Sequence, residues 1–506
     1  MQARRCTIGM DLGTTSLKAV AFDLAGQEIA RANREVERTS SEEGAAEEDP
    51  QAVAQAATDA LAEVVADAQR QGYTVASVGL SAAMHSLIPV ASDDSPLGPA
   101  LLWMDTRPEA EAEALWKMPE GRAAYERTGT PVSAMAPLVK LRWLRRAHPN
   151  IYQQAARFAS LKEWLWHHWF GVWEVDTSIA SATGLYNLQN KAWDDGALAL
   201  AGIDAARLSK LVNPMFTRQA NESATLRAAG LPDDAAIVIG ASDGPLANLG
   251  VGAVDAAQMV LTIGTSCAVR MGCDRPLTDT ASRIFCYVLS DGRFIAGAPG
   301  NSGGVVLDWL AHALFGMQES AGDQALAALL DAAATANDEH LLFLPYVAGE
   351  RAPLWRADAS GSVVGLRLEH TSAHVLRAAI EGILFNMRWM SERLFERIGR
   401  PTELVATGKV LEVDWIRQLT AEIFGLPVRF PGGADASATG AATLANIATS
   451  QWTWDDAIQR QRARSDEVIQ PSAESSAYLT KYHDFRQLAS VLLHVPATDA
   501  PDTPGV

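Results

Sequence analysis

The feature that most restricts what this chain can fold into is a turn that occurs twice, about half of the 506 residues apart. The first copy reads Asp11-Leu12-Gly13-Thr14-Thr15-Ser16, between the runs RCTIGM and LKAVAFD; the second, Gly264-Thr265-Ser266, lies in MVLTIGTSCAVR. A tight hairpin usually closes on two residues such as Asn-Gly. A turn of glycine and small hydroxyl residues instead leaves backbone N–H groups pointing into it, with no bulky side chain to keep out a phosphate oxygen. One such string carries little weight, because turns use these residues for their own geometry. Two copies, each between strand-like runs, predict duplicated halves with one hairpin apiece, facing each other across a cleft and holding one triphosphate between them.

A chain of this length predicts two or three domains. The boundary is expected in the Gly-rich stretch Leu246–Ala257, giving an amino-terminal domain over 1–248 and a carboxyl-terminal one over 249–490, with a Pro-rich, acidic and disordered tail over 491–506. Residues 5–37 read as a meander of short strands, followed by a helix from about Pro50 to Gln71 and a buried-type strand, VASVGLSAAM. That alternation predicts α/β architecture. Farther on, Ile380, Ile383, Leu384, Met387, Met390 and Leu394 recur at helical spacing. The Trp-rich segment LKEWLWHHWFGVW predicts a buried helix with the stripe Leu161, Trp164, Leu165, His168 and Trp169, and His167 and His168 half-exposed, in preference to an aromatic ligand cage.

Sixty acidic against 42 basic side chains leave a formal charge of -18. The field of such a chain repels phosphate backbones and anionic membranes, so neither nucleic acid nor a membrane is expected as a partner. A small anionic ligand needs local Lys, Arg, His or helix N-termini. No apolar run approaches the ~20 residues that span a bilayer. Cys6, Cys267, Cys273 and Cys286 form no CxxC pair and predict reduced core thiols. The amino terminus reaches a polar loop after an apolar run too short for a signal peptide, and a cytoplasmic location is expected.

Two carboxylates stand where chemistry is expected. Asp11 precedes the first turn, where the second copy has Thr262. A carboxylate beside phosphate oxygens needs a cation between them, so Asp11 is a candidate Mg²⁺ partner, with turn capping as the alternative. Asp243 follows the apolar run AAIVIGAS and precedes Gly-Pro. Ligands of open α/β sheets bind at such strand ends; there Asp243 would accept a hydroxyl proton as that oxygen attacks a γ-phosphate. A helix N-cap is the competing assignment.

These residues, together with longer blocks, resemble the FGGY family of carbohydrate kinases over Ile8 to about Ala448. MAPLVKLRWL (135–144) resembles the family's first signature and GSVVGLRLEHTSAHVLRAAIE (361–381) the second. The resemblance implies two actin-like, ribonuclease H-like α/β ATPase domains with an active-site cleft between them. It implies further that Gly13, Thr14, Thr15, Ser16 and Lys18 of one half, and Gly264, Thr265 and Ser266 of the other, grip ATP phosphates, with Asp243 as base. Within the family the blocks most resemble gluconate kinases: AMHSL, with His85 and Ser86; the segment Trp103, Asp105, Arg107; VDTSIASATGLYNL, with Ser178 and Thr183; and LPYVAGERAPLW. A sugar acid needs donors for its carboxylate and polar groups for its hydroxyls. Arg107 is a candidate for the carboxylate, with an ion pair to Asp105 or Glu109 as the alternative, and His85 for a hydroxyl or the acid.

One block departs from the family pattern. Where Ala-Thr-Gly-Gly is usual, the chain reads Ala406-Thr407-Gly408-Lys409-Val410-Leu411-Glu412. Lys409 adds a side chain where the backbone is expected to approach the nucleotide, or else itself reaches a phosphate, and Glu412 places an acid where a base is usual; Gly408 and Lys409 remain candidate nucleotide contacts. The expectation is MgATP-dependent phosphorylation of gluconate to 6-phosphogluconate, the partners being ATP and a sugar acid or sugar, with a homodimer compatible with the family. The alternatives are a kinase for xylulose or a related ketose or polyol, and a non-catalytic actin-like nucleotide-binding protein.

Overall fold

The computed structural model describes residues 4–317, 322–431, 435–464 and 467–494. The chain forms two compact units, each made from separated stretches: residues 1–255, 271–296 and 432–464 build the first, and 256–270, 297–431 and 465–506 the second. Residues 432–464, which a division at 248 assigns to the carboxyl-terminal half, therefore cluster with the amino-terminal residues.

The first unit is organised by a six-stranded sheet. β1 (Arg4–Leu12), β2 (Ser16–Asp23) and β3 (Glu28–Glu35) form the expected antiparallel meander, with Leu12 opposite Leu17 across the first turn. α1 (Pro50–Arg70) begins where Asp49 accepts the Gln51 N–H and Pro50 occupies the first helical position, a pre-set helix start. It buries Val53, Ala57, Leu61 and Val64 at helical spacing. β4 (Tyr73–Ala82) then pairs parallel with β1. Next come α2 (Pro137–Ala147), α3 (Leu161–Phe170), the single turn α4 (Thr177–Ser181), β5 (Thr217–Gln219), β6 (Ala236–Ser242) and α5 (Asp243–Gly250). The strand order is β5-β6-β4-β1-β2-β3, with β6 parallel to β4.

α3 buries Leu161, Trp164, Leu165, Trp166 and Trp169 and starts in a capping box between Ser160 and Glu163. His168, placed on the apolar stripe from spacing alone, is exposed, while the His167 ring lies 3.4 Å from an Asp94 carboxylate oxygen. Both sit in the last turn, where the solvent side of the helix begins.

In the second unit β7 (Gln258–Ile263) leads through Gly264–Ser266 into β8 (Cys267–Cys273), its hydrogen-bonded neighbour. The predicted long helix is α6 (Ser372–Ile398), and all six positions of its stripe are buried. β9 (Glu403–Thr407) pairs parallel with β7, and β10 (Val428–Arg429) parallel with β9.

The chain then returns to the first unit as α7 (Ala436–Ala448), which lies directly on β1 and β4. A Cβ on Gly9 would stand 1.9 Å from the Ala438 carbonyl oxygen, and one on Gly79 would stand 2.1 Å from that of Ala441, so helix and sheet touch backbone to backbone. The closing helix α8 (Ser475–Leu493) runs into the segment expected to be disordered; residues 495–506 lie outside the described residues. All four cysteines are free, with Cys6, Cys267 and Cys286 buried and Cys273 half-buried. Among the described residues no helix is long and apolar enough to cross a membrane.

Gly9→Ala is expected to lower the stability of the folded protein by at least ~1–3 kcal/mol, the usual cost of overpacking, read as a fall in the urea midpoint. Gly98→Ala, whose Cβ would meet nothing within 4 Å, should stay within ~0.5 kcal/mol of the wild type.

Candidate active site

Three parallel strands of the first unit end side by side. Register places Asp11 of β1 opposite Ser81 of β4, and Ser81 opposite Ala241 of β6; one residue on, Leu12, Ala82 and Ser242 form the next row. Strand spacing then separates the β1 and β6 backbones by ~10 Å, and Asp243 follows immediately after the β6 row.

Asp11 is held by the Ser81 hydroxyl, which donates to its Oδ1 at 2.7 Å. Burial, reinforced by the Asp243 carboxylate, pushes its pKa up to about 6, against the opposing pull of Ser81 and Lys18. Asp243 is the first residue of α5; its Oδ1 accepts the Gly244 N–H at 2.7 Å, and the N-cap position belongs to Ser242. Lys18, opposite Asp11 in the β1–β2 register, reaches Asp435 at 2.5 Å, and Arg31 grips the other oxygen of Asp435 at 2.5 Å. Burial opposes ionisation of Asp435, but the two cationic donors hold it below the ordinary carboxylate range. Lys18 is thus a bridge between β2 and the start of α7 as well as a candidate phosphate contact.

A buried network supports the end of β6. Lys162 of α3 donates to Asp176 at 2.8 Å and to the Ala241 carbonyl at 3.0 Å; Asp176 also accepts the Ile179 N–H at 2.9 Å, capping α4. From α4 the Ser178 hydroxyl meets that of Ser242 at 2.8 Å and accepts the Ser242 N–H at 3.1 Å. Ser178 is fully buried, and its hydroxyl braces the strand that presents Asp243. Thr183 is likewise engaged: its hydroxyl donates to the Ala180 carbonyl at 2.6 Å and accepts the Leu185 N–H at 3.0 Å.

The His85 segment is anchored to the same short helix and to α2. His85, at φ 70, places Nδ1 2.7 Å from the Ala182 carbonyl, and its Nε2 lies 3.5 Å from the Tyr287 hydroxyl. Ser86 accepts the Leu161 N–H at 3.0 Å. Lys140, which spacing alone did not single out, is fully buried and donates to the carbonyls of His85, Leu101 and Leu102 at 2.6, 3.2 and 2.6 Å. Burial pulls its pKa down to about 7. The signal was a lysine inside the apolar helical block MAPLVKLRWL, where only a fully hydrogen-bonded ammonium can be buried. Gly13, Thr14, Met84, Ser86 and Trp103 line one small cavity, which joins the first turn to this segment.

Arg107 is enclosed by acids. It contacts Asp105 at 2.5 Å, Glu47 at 2.7 Å and Glu42 at 3.0 Å, and its guanidinium lies 4.7 Å from the Trp143 ring centre. The ion-pair alternative holds for Asp105, with Glu42 and Glu47 in the place expected for Glu109. Most of the donor fork expected to meet a sugar carboxylate is occupied within the protein.

In the second unit Gly264 donates its N–H to the Ser266 carbonyl at 2.9 Å, while the Gly264 and Thr265 carbonyls accept from Gly304 and Val305 at 2.7 and 3.0 Å. That supporting turn is held by Glu350, which accepts the N–H groups of Asn301 and Ser302 and an Asn386 amide hydrogen. Burial raises the Glu350 pKa. Through Glu350 the motif GERAP therefore braces the second turn. Gly408, at φ 113, packs against Ile263: a Cβ would stand 2.0 Å from its carbonyl oxygen. The glycine needed for that approach is present, and the departure at Lys409 and Glu412 falls on exposed positions of a single 3₁₀ turn. Among the described residues no group of three or more His, Cys, Asp or Glu side chains is placed to hold a metal ion.

Models of the FGGY family of carbohydrate kinases match both parts of the sequence, the N-terminal domain over residues 6–250 and the C-terminal domain over 259–449. The chain belongs to the FGGY family of carbohydrate kinases. It is 37% identical over 453 residues to a gluconokinase of Bacillus licheniformis, covering 88% of each chain. Crystal structures of a gluconate kinase and of a ligand-bound xylulose kinase, both from Lactobacillus acidophilus, each superpose with a TM-score of 0.88 at 32% identity, covering 97% of this chain and 98% of theirs. This FGGY protein is therefore a two-domain mixed α/β carbohydrate kinase with ATP as co-substrate, which leaves the non-catalytic alternative without support.

The Asp11 carboxyl holds its proton more tightly in the folded chain than its ordinary value of 3.8 would allow. Ionising it therefore costs the native state stability as pH rises from about 4 to about 6. Asp11→Asn should raise the melting temperature of the ligand-free protein above pH 6, and the gain should shrink as pH falls toward 4; a gain that instead grows with acidity contradicts the burial of this carboxyl.

Proposed function

We propose that this FGGY kinase phosphorylates D-gluconate on its terminal hydroxyl, giving 6-phosphogluconate and ADP. The observation that carries the chemistry is the placement of Asp243 at the carboxyl end of a parallel strand, beside Asp11 and braced by buried groups. Asp243 accepts the proton of the acceptor hydroxyl while its oxygen attacks the γ-phosphorus, and the bond to the β-phosphate oxygen breaks. Backbone N–H groups of the first turn and of Thr265 and Ser266 in the second donate to the phosphates, with Lys18 offsetting their charge. Mg²⁺ is commonly held by one or two carboxylates together with substrate phosphates, and the neighbouring Asp11 and Asp243 fit that donor set. There the ion would neutralise phosphate charge. A kinase drawing on ATP for small metabolites is assigned to the cytoplasm in this proposal.

The choice of gluconate rests on the 37% identity to the gluconokinase relative and on the sequence blocks that resemble that branch. A second substrate, xylulose or a related ketose, is favoured by one specific observation: Arg107 already faces three carboxylates, which lessens its pull on a sugar acid. Measuring ADP release with gluconate, xylulose, ribulose and glycerol separates the two; gluconate should give the highest kcat/KM, and preference for a neutral sugar would replace it. Asp243→Asn should lower kcat by about 10²- to 10⁴-fold, the span of general-base contributions, while ATP still raises the melting temperature. Near-normal turnover of that variant would remove the base assignment.

A further inference from the structure

Consecutive residues of a strand point to opposite faces, and Glu47 and Glu48 illustrate it. They form one short strand paired with residues 38–39 and 100–101. Glu47 meets Arg107 at 2.7 Å. Glu48 lines the small cavity shared with Gly13, Thr14, Met84, Ser86 and Trp103. Glu48 is 1% exposed, and among the described residues its Oε1 has no hydrogen-bond partner. A buried carboxyl oxygen without a donor is unfavourable, and such a group calls for a ligand or water to complete it. Burial raises the pKa of Glu48 to about 7, with only Arg38 pulling the other way.

The remaining wall of the cavity is mostly apolar. Besides Glu48, the residues with polar side chains along it are Thr14, Ser86 and Trp103. A mostly apolar pocket bordered by one unpartnered acceptor favours a ligand that brings its own O–H donor.

We infer that Glu48 is a carbohydrate-binding residue that accepts a hydrogen bond from a hydroxyl of the acceptor sugar. The inference rests on the kinase function proposed above and extends it by a contact and an orientation. In its ionised form the Glu48 carboxylate accepts from the polyol portion of the substrate and repels its carboxylate, so a sugar acid binds with its acid group turned away from Glu48.

Glu48→Gln and Glu48→Ala test this, with sugar and ATP kinetics and ligand-free melting temperature measured for each. Above the raised pKa of Glu48, at about pH 8, the loss of a hydrogen bond to a charged acceptor predicts a rise of roughly ten- to a hundredfold in KM for the accepted sugar, with KM for ATP within about twofold. The ligand-free melting temperature should be unchanged or higher, because an unpaired buried carboxyl has gone. Among monodeoxy derivatives of the sugar, one should lose affinity for the wild type yet bind wild type and Glu48→Ala equally. A wild-type sugar KM in Glu48→Gln, with or without a lower melting temperature, overturns the assignment and leaves Glu48 a structural or water-bound group. If the wild type phosphorylates none of the four sugars, the functional proposal fails separately. Calorimetric titration of gluconate, xylulose, ribulose and glycerol into wild type and Glu48→Gln then decides: weaker polyol binding by the variant supports the contact, and equal or absent binding overturns it.

Discussion

The contact between α7 and the sheet of the first unit leaves room for hydrogen and nothing larger. Gly9 and Gly79 present bare backbone to the carbonyls of Ala438 and Ala441, across separations of hundreds of residues in sequence. Much of the candidate site follows from that approach. It brings Asp435 within reach of Lys18 and Arg31, and it sets the Ser437 hydroxyl 3.4 Å from the Asp243 carbonyl. A helix held farther out would disconnect these groups, because hydrogen bonds fail within a few tenths of an ångström beyond their normal length.

The same unit buries charges in an ordered way. Lys140 and Lys162 are each 2% exposed or less, and each ammonium is surrounded by backbone carbonyls or a carboxylate. Buried ion pairs contribute little net stability against a hydrophobic replacement. Their value here is directional: Lys140 ties the His85 segment to Leu101 and Leu102, and Lys162 ties α3, α4 and the end of β6 together. Glu350 does the equivalent for the turn behind Gly264 in the second unit. In each case a long or branched side chain fixes several backbone segments at once, which no single apolar residue does.

Local pattern made much of this legible. The meander, α1, the Trp-rich helix and α6 follow from periodicity and end signals, and the paired turns do lie between neighbouring strands. The position of Asp243 at a strand end is legible because it follows an apolar run. What escaped was whatever depends on partners distant in sequence. Nothing near Arg107 announces Glu42 or Glu47, some sixty residues earlier. The contacts of Ser178 with Ser242 and of Thr183 with its own turn are visible only in the packing of α4. The return of residues 432–464 to the first unit left no local mark beyond a run of small residues, since a tightly packed helix needs alanine and glycine and such a run is also ordinary in any core.

That return has a consequence for biosynthesis. A ribosome delivers β1 first and α7 only after more than four-fifths of the 506 residues have emerged. Nascent domains otherwise tend to fold as they appear, amino-terminal end first. Here the face of β1 and β4 that receives α7 must wait uncovered through the translation of residues 83–435, a period in which chaperones have most to protect.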